Sequence, residues 1–247
     1  MTEHKTCALC GSVRKACFAV LFLGILGVAV WQVFPVAEGE NDMDTSNNAE
    51  EVSLPEPAQD SDVSIEQSFA ERRSVRDFAP EAVSLQDLGQ LLWAAQGISS
   101  PEGLRTAPSA GATYPLEVYV VAEEVDGLDA GIYRYVPQEH TLTHVAAGNF
   151  AQSLQEAALD QAFIGEAPVN LVYAAVFERT QVQYGERGER YVYMEVGHAA
   201  QNAFLQCQSL DLDAVVVGAF TDAQVADVMQ LPEEEEPLYI MPIGKAG

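Results

Sequence analysis

Basic side chains are scarce in this sequence: twelve Lys plus Arg stand against thirty-seven Asp plus Glu, the formal net charge is −25, and lysine occurs only at Lys5, Lys15 and Lys245. A nucleic-acid backbone is thereby excluded as a partner, since neutralising its phosphates takes clustered basic residues. An acidic, lysine-poor surface suits a saline environment, or simply solubility. Cysteine is as sparse, at Cys7, Cys10, Cys17 and Cys207. Cys7 and Cys10 form a CxxC without the second ligand pair that a structural zinc site needs, so they read as reduced thiols on a short tail. Also missing are a G-x-G-x-x-G turn after a strand, a Gly-Lys-Ser/Thr phosphate loop, a G-x-S-x-G elbow and an H-E-x-x-H pair. Those absences remove the usual nucleotide folds, the serine hydrolases and the zinc proteases.

What is present begins with an apolar run over 16–34, broken only by Gln32. At about 1.5 Å per residue it is just long enough to span a hydrocarbon core of about 30 Å. Lys5, Arg14 and Lys15 precede it, and Glu38, Glu40, Asp42 and Asp44 follow. That asymmetry predicts a cytoplasmic tail over 1–15, a transmembrane anchor over 16–34 and a catalytic domain outside, periplasmic or extracellular. A cleaved signal peptide with its small-residue site at Gly27-Val28-Ala29 is the rival reading, and it exports the domain as well. Residues 35–63 are acidic, carry no Lys or Arg and have few bulky apolar side chains, which predicts a disordered tether. The folded domain is expected over 64–247.

Within it, Ser64-Ile65-Glu66-Gln67 resembles a capping box and predicts a short helix running into Arg72, Arg73 and Arg76. Ser84 caps a second helix, with Leu85, Leu88, Leu91, Leu92 and Ala95 at helical spacing and Gly97 at its end. Strands are expected over 116–122, 169–176, 214–217 and 238–243, with a hairpin of 131–136 and 141–145 whose His140 and His144 read as surface residues. Helices are expected over 149–159, 190–210 and 222–229. Mixing without regular alternation favours an α+β fold over a doubly wound sheet. Three arginines within positions 72–76 stand out in so acidic a chain and offer planar donors for phosphate oxygens. Pro108-Ser109-Ala110-Gly111 supplies a small-residue loop that lets backbone come close to a flat ring.

In order, R-R-S-V-R-D-F at 72–78, P-S-A-G-A-T-Y-P-L-E-V-Y-V at 108–120, E-V-G-H-A-A-Q-N-A-F-L-Q at 195–206, V-V-G-A-F at 216–220 and P-I-G-K at 242–245 resemble the FMN-dependent nitroreductase-like oxidoreductases. Within them the likeness is to the SagB-type branch, related to thiazole/oxazole peptide dehydrogenases. The resemblance implies a nitroreductase-like fold, a mostly antiparallel central sheet flanked by helices, and a homodimer with FMN at the interface. It makes Arg72, Arg73, Ser74 and Arg76 a clamp on the ribityl phosphate, with Gly244 and Lys245 as a second anchor. Pro108, Ser109, Ala110 and Gly111 match a loop that approaches the flavin, usually from the neighbouring subunit. Gly218 and Ala219 match a strand-end segment near flavin N5.

Glu195, His198, Gln201 and Asn202 share the long helix, where the resemblance implies packing and dimer contacts. Tyr184 is the catalytic candidate, as an acid or hydrogen-bond donor. Gln183 stands where peptide azoline dehydrogenases carry Lys, and an amide cannot serve as a proton-transfer base, which counts against azoline oxidation. The resulting expectation is a membrane-anchored, FMN-dependent oxidoreductase. It would pass hydride or electrons between a small-molecule or redox-protein donor and a small organic acceptor. A low-turnover flavin- or ligand-binding protein is the alternative.

Overall fold

The computed structural model describes residues 51–247. In chain order the elements are β1 (Glu51–Ser53), α1 (Ile65–Glu71), β2 (Val83–Ser84), α2 (Leu85–Gln96), β3 (Leu116–Ala122), β4 (Val125–Asp126), β5 (Gly131–Val136), β6 (Thr141–Ala147), α3 (Ala151–Ala157), α4 (Ala162–Glu166), β7 (Val169–Ala175), α5 (Phe177–Tyr184), α6 (Arg187–Ser209), β8 (Asp213–Ala214), α7 (Asp222–Met229) and β9 (Glu236–Gly244). Both serine caps form as expected: Ser64 accepts from the Gln67 N–H and Ser84 from the Asp87 N–H, each worth about 1 kcal/mol.

Seven strands make one sheet in the order β1-β6-β5-β3-β7-β9-β8, every neighbouring pair antiparallel. β3 and β7 lie near its middle and are buried along their whole length, which is why their sequences read as unbroken apolar runs. The two-residue period of a strand sends alternate side chains to opposite faces. Leu116, Val118 and Val120 meet Leu88, Leu91 and Leu92 of α2 and Val192, Val196 and Ala203 of α6. Tyr119 and Val121 meet Leu154 of α3, Ile164 of α4 and Met229 of α7 on the other face. Burying each of those leucines contributes about 2 kcal/mol. The architecture is α+β, with helices on both faces of an antiparallel sheet.

Three expectations are corrected here. The disordered tether does not extend through residues 51–63. β1 adds to the sheet edge beside β6, Leu54 is buried in the core, and Ala58 exchanges two hydrogen bonds with the Gln90 side chain at 2.8 and 3.0 Å. An open strand edge supplies backbone partners to any passing segment, whatever its charge, and Val52 and Leu54 suffice to seat this one. His140 is half-buried instead of a surface residue: one ring nitrogen meets Tyr135 Oη at 2.8 Å and the other meets the Pro55 carbonyl at 3.0 Å. The placement of the domain beyond a membrane is the third. No helix among the described residues is long and apolar enough to cross a membrane. The apolar run at 16–34, on which the anchor and the export rested, lies outside the described residues, as does 35–50.

Candidate functional site

The arginine segment leaves α1 at Arg72, whose N–H still donates to the Ser68 carbonyl at 3.0 Å. It then runs as extended chain along the end of the sheet. Ser74 bridges Ala214 in parallel, and the Val75 N–H donates to the Ala214 carbonyl at 3.0 Å. On the other side of β8, Asp213 pairs with Gly244, and the Ala79 N–H donates to the Lys245 carbonyl at 2.9 Å. Positions far apart in sequence, Ser74, Ala214 and Gly244, thus come together at one sheet edge.

Arg72 lies over the Phe204 ring of α6 at 4.8 Å, and Arg76 over Phe163 at 5.7 Å. Arg73 donates only to carbonyls of its own turn, those of Ala70 and Arg72. None of the three arginines pairs with a carboxylate among the described residues; the ion pairs involve Arg134, Arg179 and Lys245. In a chain with thirty-seven acids, three guanidiniums without a carboxylate partner are open to an anion from outside, Arg72 from the α6 side of the sheet and Arg76 from the α4 side. Lys245 differs from expectation: its ammonium is held by Glu81 at 3.0 Å, which raises its pKa.

From Ala214 the chain continues beside β9. Val217 and Ile240 exchange backbone bonds of 2.8 and 2.9 Å, and the segment ends in the exposed pair Gly218 and Ala219. The Gly218 N–H donates to no backbone or side-chain acceptor among the described residues. Gly218 opens onto a cavity of about 350 Å³ walled by Tyr193, Phe220, Asp222, Glu236 and Leu238. Ala214 and Gly218 are separated by about 13 Å of near-extended chain. One segment therefore links the arginine edge to this cavity.

Pro108, Ser109, Ala110 and Gly111 form a second group with Tyr184. Ser109 Oγ accepts from the Tyr114 N–H at 2.9 Å, closing a loop with positive φ at Gly111, Ala112 and Tyr114. At Gly111 a Cβ would stand 2.5 Å from Gln183 Oε1 and 2.7 Å from Tyr184 Oη, so a larger residue there must displace the tips of those two side chains. The Tyr184 ring meets Tyr191 of α6 edge-on at 5.1 Å. Phe204, under Arg72, is thirteen residues further along α6, about 20 Å away. Tyr184 therefore stands at the other end of α6 from Arg72, while the loop runs between, beginning where Asn202 Nδ2 donates to the Thr106 carbonyl at 3.4 Å.

Sequence reading gave Glu195 a packing role on the long helix and missed the polar cluster that it joins. Glu195 and Arg105 flank Ser109 and Tyr114. Burial pushes the Glu195 carboxyl up to about 7, against the Ser109 hydrogen bond and the Arg105 charge, which lower it. Arg105 sits 4.6 Å over the Tyr114 ring and is itself lowered by burial. The available signal was a carboxyl on the apolar stripe of Val192, Val196 and Ala199, where a solvated acid does not belong.

Comparison with known proteins settles the lineage. The nitroreductase family model matches residues 69–245, and a nitroreductase homologue of Methanocaldococcus jannaschii is 42% identical over 195 residues, covering 79% of this chain and 96% of that one. The chain belongs to the nitroreductase family. A nitroreductase-family crystal structure from Ralstonia eutropha superposes with a TM-score of 0.71 at 34% identity, covering 81% of this chain and 91% of the other. The microcin B17-processing protein McbC of Escherichia coli is 33% identical over 170 residues, 66% of this chain and 62% of McbC. The Escherichia coli microcin synthetase McbBCD complex contains a chain that matches with a TM-score of 0.64 at 29% identity, covering 87% of this chain and 85% of the other. These likenesses agree with the SagB-type branch. Every candidate from Arg72 to Lys245 lies inside the nitroreductase match, and family membership makes the chain an oxidoreductase.

Proposed function

We propose that this nitroreductase-family chain is an FMN-dependent oxidoreductase that passes hydride or electrons between a reductant and a small organic acceptor. The observation that carries the reading is the edge where Arg72, Arg73, Ser74 and Arg76 meet Gly244 and Lys245. It presents unpaired guanidiniums to an anion, and the segment leaving it ends at the free N–H of Gly218. A flavin phosphate fits that donor set. Arg72 and Arg73 would hold it, Ser74 would add a hydroxyl and Arg76 would complete the positive field, with Lys245 joining only by leaving Glu81. When bound, FMN supplies the hydride chemistry at its N5. The Gly218 and Ala219 backbone would donate to charge developing there, and the cavity beside Gly218 would take the acceptor.

Tyr184 stands about 20 Å along α6 from the ring under Arg72, whereas the loop begins beside Asn202, whose side chain donates to the Thr106 carbonyl at 3.4 Å. The family resemblance implies a homodimer, in which each loop would reach the partner's flavin. Exposed apolar side chains support such a contact: Met194 and Tyr193 on α6 are 52% and 50% exposed, Val182 on α5 81% and Phe69 on α1 61%. The electron donor is a small molecule or a redox protein.

The test is a visible spectrum of the purified chain, with added FMN and without. A flavin spectrum is expected, and a colourless protein that takes up no FMN sinks the reading. Arg73→Ala should weaken FMN binding by on the order of tenfold to a hundredfold, measured by fluorescence titration; unchanged affinity would refute the clamp.

A second reading, oxidation of an azoline ring in a peptide, draws on the likeness to McbC. Gln183 packs beside Tyr184 against Gly111 and offers no base, so Tyr184 would act alone. Turnover of an azoline-containing peptide, but not of a quinone or nitroarene, would favour it.

A further inference from the structure

Glu195 is the buried carboxyl that this function leaves unused. It is 3% exposed, and its Oε1 has no hydrogen-bond partner among the described residues. Its hydrogen-bonding neighbour is the Ser109 side chain, and its opposite charge is Arg105. Ser109 Oγ in turn accepts from the Tyr114 N–H, while Arg105 lies over the Tyr114 ring and donates to Gln96 Oε1 at 2.7 Å. Gln96 Nε2 is also buried without a partner. Beyond Arg105 stand Glu117 of β3 and Arg179 of α5, paired with each other at 2.7 Å. His198, one turn further on α6, is exposed.

One end of the loop 109–114, Ser109, hydrogen-bonds this carboxyl, and the other, Tyr114, lies under Arg105, whose charge acts on the carboxyl without an ion pair among the described residues. Within the loop, Ala112 and Tyr114 hold positive φ, a conformation that side chains other than glycine keep only where their surroundings impose it. We propose that Glu195 is a positioning residue of the flavin site, setting the shape of the loop 109–114 and, by gaining or losing one proton, the direction in which the Ser109 hydroxyl points. A serine hydroxyl has one proton to give and two lone pairs. Facing a carboxylate, the proton turns inward. Facing a carboxylic acid that can itself donate, it is free to turn toward the loop's outer side. Burial pushes this carboxyl up to about 7, so the change falls in the neutral range.

The cofactor arm of the inference rests on the flavin reading above; the loop arm does not. In full-length protein loaded with FMN, flavin absorbance followed from about pH 5.5 to about pH 8.5 should show a step near neutrality. The step is lost in Glu195→Gln and in Ser109→Ala. Without FMN, the Tyr114 amide should exchange with solvent on the order of tenfold faster in Ser109→Ala than in wild type. Its protection should also lose its pH dependence in Glu195→Gln. A flavin step that persists in Glu195→Gln, or Tyr114 protection identical in all three proteins, overturns the proposal. If no FMN binds, the flavin reading falls and the Tyr114 amide alone decides this one.

Discussion

At the residue scale, Glu195 shows how a single side chain can tax stability where it serves a site. Its carboxyl titrates at about 7 in the folded chain against 4.5 in its ordinary state. Between those values the folded protein holds a proton that the unfolded chain has released, so stability falls as pH rises through this window. The loss approaches about 3 kcal/mol once the carboxylate is fully formed. Glu195→Gln removes the ionisation. Urea denaturation should therefore find the variant close to wild type at about pH 4.5 and more stable by up to about that amount at about pH 8; parallel curves at both pH values would contradict the burial argument. Gly111 is the opposite case, a residue whose lack of a side chain is its contribution. The tyrosine and glutamine that would collide with a Cβ there come from α5, so the sequence around Gly111 gives no hint of the contact.

At the element scale, α6 ties the site together. Its inner face packs on the sheet, Glu195 near its start serves the loop, and Phe204 toward its end lies beneath Arg72. Phe204→Leu separates the two roles of that ring. Apolar volume is largely kept, so stability should fall by less than about 1.5 kcal/mol in denaturant. Loss of the aromatic face under Arg72 should weaken FMN by roughly threefold or more, read by fluorescence titration. Equal FMN affinity would show that Arg72 needs no platform. Elements with a strong apolar period, such as α2, α6, β3 and β7, were legible from sequence because burial on a fixed face imposes that period. β1 and α5 were not. β1 is held by backbone bonds to a sheet edge, and α5 begins after Val176 with no side-chain cap and few apolar positions. Neither leaves a compositional mark.

At the scale of the whole molecule, the proposed homodimer would tie assembly to flavin binding. Met194→Glu places a charge on the exposed apolar face and should give monomers by light scattering, with FMN affinity lost together with the dimer. A monomer that retained flavin would break that link. The sequence by itself determined the α+β class, the family, the paired caps and the identity of the arginine and glycine candidates, because these depend on local spacing and on side-chain chemistry. Only the tertiary structure decided which of them meet. Ser74, Ala214 and Gly244 converge because β8 and β9 pair antiparallel; Lys245 is claimed by Glu81; and a glutamate on an apolar stripe becomes the tie of a loop nearly ninety residues earlier in the chain. Pairings between distant segments are set by the closing of the core, and no local pattern encodes them.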